Sequence, residues 1–361
     1  DFSELGSEEV SNGSFSQEGV ELVTNGSFDT DSDWTKGTGW SISGGKANCD
    51  GVSATSNLSQ VITSFSGKTF LVEGSASNVS QGFAYISLGG TDLQIVVNSS
   101  GSFKHYVTIS SGNSTLFISA RNNFIGSIDN VSVKEVGQDW TFGTGWSVGE
   151  DKAVADGTTN NALSQTTISS VVGKSYKIDF TIDDYVQGNI RIYFGGVFTP
   201  FVSSDGVYSF YITATAVDAL ATSASGLFNG SITNISVKEV GQNWSLATGW
   251  EIGDDVANYN DTDDGAILSQ AMPMGASKKF QLSFTILNGS GARMQFTDNT
   301  GAALYDLYGE GNLDNDVYNF IFNTTSAISG FRLYAYTLSG GTFSITNISV
   351  IEITDDTNLP R

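Results

Sequence analysis

Twenty-three residues, SIDNVSVKEVGQDWTFGTGWSVG at 127 to 149, return as SITNISVKEVGQNWSLATGWEIG at 231 to 253, an offset of 104, and SITNISVIEI returns again at 344 to 353. A chain that repeats itself at this spacing folds as copies of one unit rather than around one large core. All six tryptophans obey the repeat, as the pairs Trp34 and Trp40, Trp140 and Trp146, and Trp244 and Trp250. A Leu-Ser-Gln step follows each pair, at Leu58 to Gln60, Leu163 to Gln165 and Leu268 to Gln270, and then a Lys-aromatic strand: GKTFLVEGS, GKSYKIDFT and SKKFQLSFT.

The repeat divides the chain into an N-terminal segment (1–20), copies at 21–136, 137–240 and 241–354, and a tail or linker to a further region at 355–361. Within the N-terminal segment, EEVSNGSF at 8 to 15 echoes ELVTNGSF at 21 to 28 and reads as the opening strand of a copy without its body. Only VGQ separates each closing strand from the next Trp, which predicts a restricted orientation between neighbours, as in a rod. The opening DFSELGSEEV and the closing DDTNLPR suggest a piece of something longer.

Apolar residues recur at every second position in stretches such as FKHYVTIS, and no stretch has an amphipathic helical period. With 42 Gly and only 3 Pro, short strands joined by tight polar turns follow. The predicted fold is all-β: three tandem antiparallel β-sandwich modules of jelly-roll type.

A net charge of −22 repels the phosphate backbone of nucleic acid and anionic membranes, and no apolar run is long enough to span a bilayer. One cysteine, Cys49, rules out an internal disulfide framework and is expected to be a small strand residue. One histidine, His105, cannot supply a catalytic triad in each copy. It aligns with Phe210 and Phe320, which predicts a core-facing side chain. No carboxylate pair recurs from copy to copy, so the chain is not expected to be an enzyme.

Positions alike in all copies serve the shared fold, and positions that differ are free to serve binding. In AYISLGG, IRIYFGG and ARMQF, one parity carries Ile86, Ile192 and Met294, with Leu88, Phe194 and Phe296, and is predicted to face the core. The other parity carries Tyr85, Arg191 with Tyr193, and Arg293 with Gln295. Arg121, Arg332, Tyr334 and Tyr336 fall on the outward parity of later strands. Tyr and Arg on an open sheet face suit a sugar, whose C–H face stacks on an aromatic ring while guanidinium groups hold hydroxyls or carboxylates. A solvated face rich in Tyr because aromatics favour strands is the alternative. The tryptophans read as framework: Trp40 alternates with Ile42, Trp146 with Val148 and Trp250 with Ile252, as core-facing pairs do. Calcium is a candidate ligand, since Asp29, Asp31 and Asp33, and again Asp261, Asp263 and Asp264, place hard oxygens at short spacing.

The ELVTNGSF…W…GW opening and the SIDNVSVKEV closing strand resemble the ends of carbohydrate-binding-module-like jelly rolls, a family of non-catalytic sandwiches. That resemblance implies a structural calcium near the first and last strands, with Asn25, Asp29 and Asp129 as its ligands in the first copy. Thr233 and Thr346 replace the last of these in the other copies. The tandem GTGWSISGGKA and VSVKEVGQDW motifs also resemble segments of large bacteriophage virion proteins, of tail-fibre or head-appendage type. The implied function is a structural virion segment, extracellular on the particle surface. It would be homo-oligomeric, in contact with other virion proteins, and would bind host-surface polysaccharide through repeated weak sites during adsorption. A spacer or capsid decoration without ligand, a secreted bacterial adhesin, and an accessory module of a polysaccharide-degrading enzyme stay open.

Overall fold

The computed structural model describes residues 2–51, 55–62, 67–88, 91–109, 115–260, 265–289, 292–307, 313–337 and 342–354. The fold is all-β, and its strands form four antiparallel sheets. One nine-stranded sheet takes the strands of the first copy. A second takes those of the second copy together with Leu5–Glu8, and two five-stranded sheets take the third.

In each of the first two copies, two long strands organise the sheet: Thr69–Leu88 against Thr115–Val136, and Ser175–Phe194 against Leu220–Val240. These strands bend midway at register shifts, where Asn78, Asn122, Asn123 and Asp184 take left-handed φ, a conformation that Asn and Asp tolerate better than other side chains. The third copy has separate strands instead, Lys279–Leu287 and Ala292–Asp298, then Ile328–Thr337 and Phe343–Glu352. The two five-stranded sheets share one core, with Leu268, Phe296 and Leu333 from one and Tyr259, Phe284 and Ile345 from the other.

Three large buried clusters follow the three copies. Ile86, Leu88, Ile192, Phe194, Met294 and Phe296 are all at most 2% exposed, as their strand parity predicts. Each Leu of the Leu-Ser-Gln step is fully buried. Cys49 is buried opposite Trp40. Five tryptophans are buried, whereas Trp146 is only half-buried, stacked at 6.2 Å on Phe228 with Nε1 donating to the Asn161 carbonyl. One ion pair recurs in every copy: Lys68 with Glu135, Lys174 with Glu239 and Lys278 with Glu352, at 2.8, 2.7 and 2.6 Å.

His105 corrects the sequence reading. It pairs with Val72 as Phe210 pairs with Ile178, so the alignment holds, yet its side chain is exposed. Among the described residues its strand, Gly101–Thr108, pairs with Thr69–Leu88 alone, and Phe103 closes over the core there. An imidazole at such an edge keeps its water instead of losing it.

The N-terminal segment packs on all three copies rather than standing alone. Leu5–Glu8 pairs with Leu220–Val240, and Val10 and Phe15 enter the second core. Phe2 enters the third core, and Val23 and Phe28 enter the first. The first residues of the chain thus thread all three cores in reverse order, which holds the copies together more firmly than VGQ connections alone would.

Candidate functional site

The outward face of the second copy carries the densest cluster of binding chemistry. Ser175–Phe194 buries Ile190, Ile192 and Phe194 and leaves Arg191 and Tyr193 half-buried on the opposite face. Gly195 and Gly196, both at positive φ, make the two-residue turn that pairs Phe194 with Val197. The returning chain lays Phe198 beside Tyr193, with ring centroids 4.7 Å apart. Thr199 then exchanges hydrogen bonds with Ile192, its N–H donating to the Ile192 carbonyl and its Oγ1 accepting from the Ile192 N–H, both at 2.9 Å. Val202 bridges to Ile190, so Phe201 is delivered to the same place.

Arg191 sits between these rings, its guanidinium carbon 3.7 Å from the Phe198 centroid and 4.2 Å from that of Phe201. Such stacking holds a cation by about 0.5 to 2 kcal/mol. Arg191 Nε has no hydrogen-bond partner, and Phe198 and Phe201 are 45% and 44% exposed. The Tyr193 hydroxyl donates to Asp218 Oδ2 at 2.7 Å, and that bond to a carboxylate raises the phenol above its ordinary range. The cluster reaches a cleft of about 620 Å³ between the second and third copies, lined by Phe198, Pro200, Tyr211 and Trp250.

The other outward residues form smaller groups. In the first copy the Arg121 guanidinium lies 5.7 Å from the Tyr85 ring and donates to Thr55, and Phe83 meets Tyr85 edge-on. In the third copy Arg293 stands opposite Tyr336, Gln295 opposite Tyr334, and Thr297 opposite Arg332. There Arg332 donates to the Tyr334 hydroxyl at 3.4 Å. Sequence reasoning thus selected residues that gather within each copy. It missed Phe198, Phe201 and Asp218. The VFTPF motif after the Gly-Gly turn, absent from the other copies, was the available signal.

The calcium candidates are engaged by their own loops. Asn25 Nδ2 donates to the carbonyls of Thr30 and Ser32, Asp29 accepts from Ser27 Oγ, and Asp129 accepts from the Asn130 N–H. Asp31 pairs with Lys36. Asp261, Asp263 and Asp264 lie outside the described residues. Among the described residues, no three His, Cys, Asp or Glu side chains are grouped to hold a metal ion. No described helix is long and apolar enough to cross a membrane.

No protein-family model and no curated protein sequence matches the chain. Matches do occur among solved structures. One is the N-terminal tandem CBM22-1-CBM22-2 domain of Xyn10C from Paenibacillus barcinonensis, at 10% identity and a TM-score of 0.27, over 61% of this chain and 98% of that one. Another is a chain of the Sulfolobus Turreted Icosahedral Virus structure, at 13% identity and a TM-score of 0.19, over 87% of this chain and 91% of that one. Superpositions this loose leave the question of function to the residues themselves.

Proposed function

We propose that the chain is a non-catalytic segment of a virion appendage, built as three tandem jelly-roll modules, that binds host-surface glycans through repeated weak sites. The observation that carries the reading is the arrangement of Arg191 between two half-exposed phenylalanines, next to Tyr193 on an open sheet face. Aromatic faces take the C–H face of a pyranose, and the guanidinium edge takes hydroxyls or carboxylates. Smaller Arg–Tyr groups in the first and third copies supply further contacts along the same chain. Several weak sites on an oligomeric particle then add up by effective concentration rather than by individual affinity. The setting on the virion surface and the homo-oligomeric state belong to this proposal, on the strength of the sequence resemblance alone.

The test is glycan-array binding by the folded protein, with host-derived polysaccharide included, repeated with the double variant Phe198→Ala, Phe201→Ala. Both side chains are well exposed, so the variant keeps its fold, and binding should fall at least about tenfold, as expected for the loss of two stacking contacts. A folded wild-type chain that binds no glycan would sink the adhesive role. It would favour the second reading, a spacer, which the N-terminal threading of all three cores supports.

A further inference from the structure

Phe2, Phe15 and Phe28 stand thirteen residues apart, and the stretches that end on the latter two, SELGSEEVSNGSF and SQEGVELVTNGSF, are two versions of one unit. Each makes the same contacts in its own copy. The Glu side chain accepts from the closing strand, Glu21 from the Val133 N–H at 2.9 Å and Glu8 from the Val237 N–H at 2.8 Å. The next residues are held by a buried Gln amide, which exchanges two hydrogen bonds with the backbone of Thr24 (Gln60) or Ser11 (Gln165). The Asn carbonyl accepts from an indole, Asn25 from Trp34 and Asn12 from Trp140. The Gly approaches so closely that a Cβ would stand 2.0 Å from the Val131 carbonyl oxygen at Gly26, or 1.9 Å from that of Ile235 at Gly13.

The third copy presents the receiving side of these contacts with only the last residue of a unit in place. Phe2 packs on Trp244 at 5.0 Å, as Phe15 packs on Trp140 at 5.0 Å and Phe28 on Trp34 at 5.1 Å. Among the described residues, none fills the remainder of the seat. Trp244 Nε1 is buried and has no hydrogen-bond partner. Gln270 is half-buried, where Gln60 and Gln165 are 7% and 0% exposed. Ile348 and Val350 are half-buried, where Val131, Val133, Ile235 and Val237 are at most 4% exposed. Ile351, beside them, is 62% exposed.

We infer that this edge of the third copy is a binding slot for one more unit of the same kind, supplied by chain on the N-terminal side of Phe2. The occupant belongs to the same chain because its final residue is already seated. Strand addition of this type takes its affinity from main-chain hydrogen bonds and its register from alternate side chains. A buried indole N–H without an acceptor is a standing cost that an Asn carbonyl would remove. Ile351 stands where Lys134 pairs with Glu18 and Lys238 approaches Glu8 at 4.0 Å, so an incoming unit meets an apolar side chain there in place of a cation.

The experiment fuses SELGSEEVSNGS directly ahead of Phe2 in place of Asp1, beside a control extension of the same residues in scrambled order. Hydrogen exchange is followed at the backbone of residues 344–353 and at the Trp244 indole. The correct extension should slow exchange in 348–351 and at the indole by about tenfold or more, leaving the first copy unchanged. The scrambled extension should do nothing. No slowing, or equal slowing by both extensions, would overturn the inference.

Discussion

Trp140 Nε1 donates to the Asn12 carbonyl at 3.0 Å although the two residues lie 128 positions apart in the chain. Trp34 makes the same bond to Asn25 at 3.1 Å across only 9 positions. One contact therefore closes two loops of very different length. Loop closure costs about 0.6 kcal/mol for each doubling, so the remote version carries roughly 2 kcal/mol more entropy cost than the local one. The N-terminal strand should be held less firmly on the second copy than its equivalent is on the first.

That difference is tested with Phe15→Ala and Phe28→Ala. Both phenylalanines are buried, at 2% and 1% exposure, and each packs on a framework Trp. Truncation of a buried Phe costs about 3 to 5 kcal/mol. Phe15→Ala should detach residues 5–15 from the second copy, with rapid exchange at the amides around Val237, while Phe28→Ala destabilises the first copy without freeing its strand. Equal protection of the two strands in these variants would contradict the entropy argument.

The repeat, the strand parity and the framework role of five tryptophans were legible in the sequence, because each rests on local periodicity that copies within one chain make visible. The echo at 8 to 15 was legible as a repeated unit, but the strand itself is Leu5–Glu8, with residues 9–15 forming the turn after it, and its partner was not legible. Nothing local in EEVSNGSF distinguishes docking on the second copy from standing alone, and the deciding contact is with a Gln 154 positions away. Phe198 and Phe201 escaped for the opposite reason: superposing matched positions passes over VFTPF, which has no counterpart in the other copies, although its occurring once was itself the signal. His105 was misjudged because parity gives the side of a sheet and not its distance from the edge.

Gln165 offers a direct measure of the strand clasp. Its amide accepts from the Ser11 N–H at 2.9 Å and donates to the Ser11 carbonyl at 2.8 Å, with the Gln fully buried. Gln165→Leu leaves both backbone groups unmet, at about 1 to 3 kcal/mol each. Gln270→Leu, where the described residues present no such strand, should be close to neutral. Denaturant melts of the two variants check the contrast, and equal losses would argue against a clasp.

The tryptophans should divide by burial. Trp40 is 6% exposed, packs on Phe124 and donates to the Ser56 carbonyl, so Trp40→Ala should cost about 3 to 5 kcal/mol and unfold the first copy. Trp146→Ala removes a half-buried ring and should cost clearly less. Thermal melts with near-ultraviolet circular dichroism report both, and a larger loss at Trp146 would reverse the assignment.

High pH should loosen the contact between the second and third copies through Tyr211. Burial, followed by its hydrogen bond to Asp254 at 3.1 Å and that carboxylate's charge, pushes the phenol up to about 12. The folded value lies above the ordinary one of about 10, so the neutral phenol contributes stability that is complete below about pH 10. That contribution is lost as pH rises through about 12, because the phenolate meets Asp254 as a like charge. Phenolate absorbance should therefore lose one group that titrates near 12 in Tyr211→Phe, while the other raised phenols, Tyr193 among them, keep their titration. Exchange at Trp250 to Ile252 should accelerate over the same window in the parent chain and not in the variant. A parent chain with no such late group would refute the coupling.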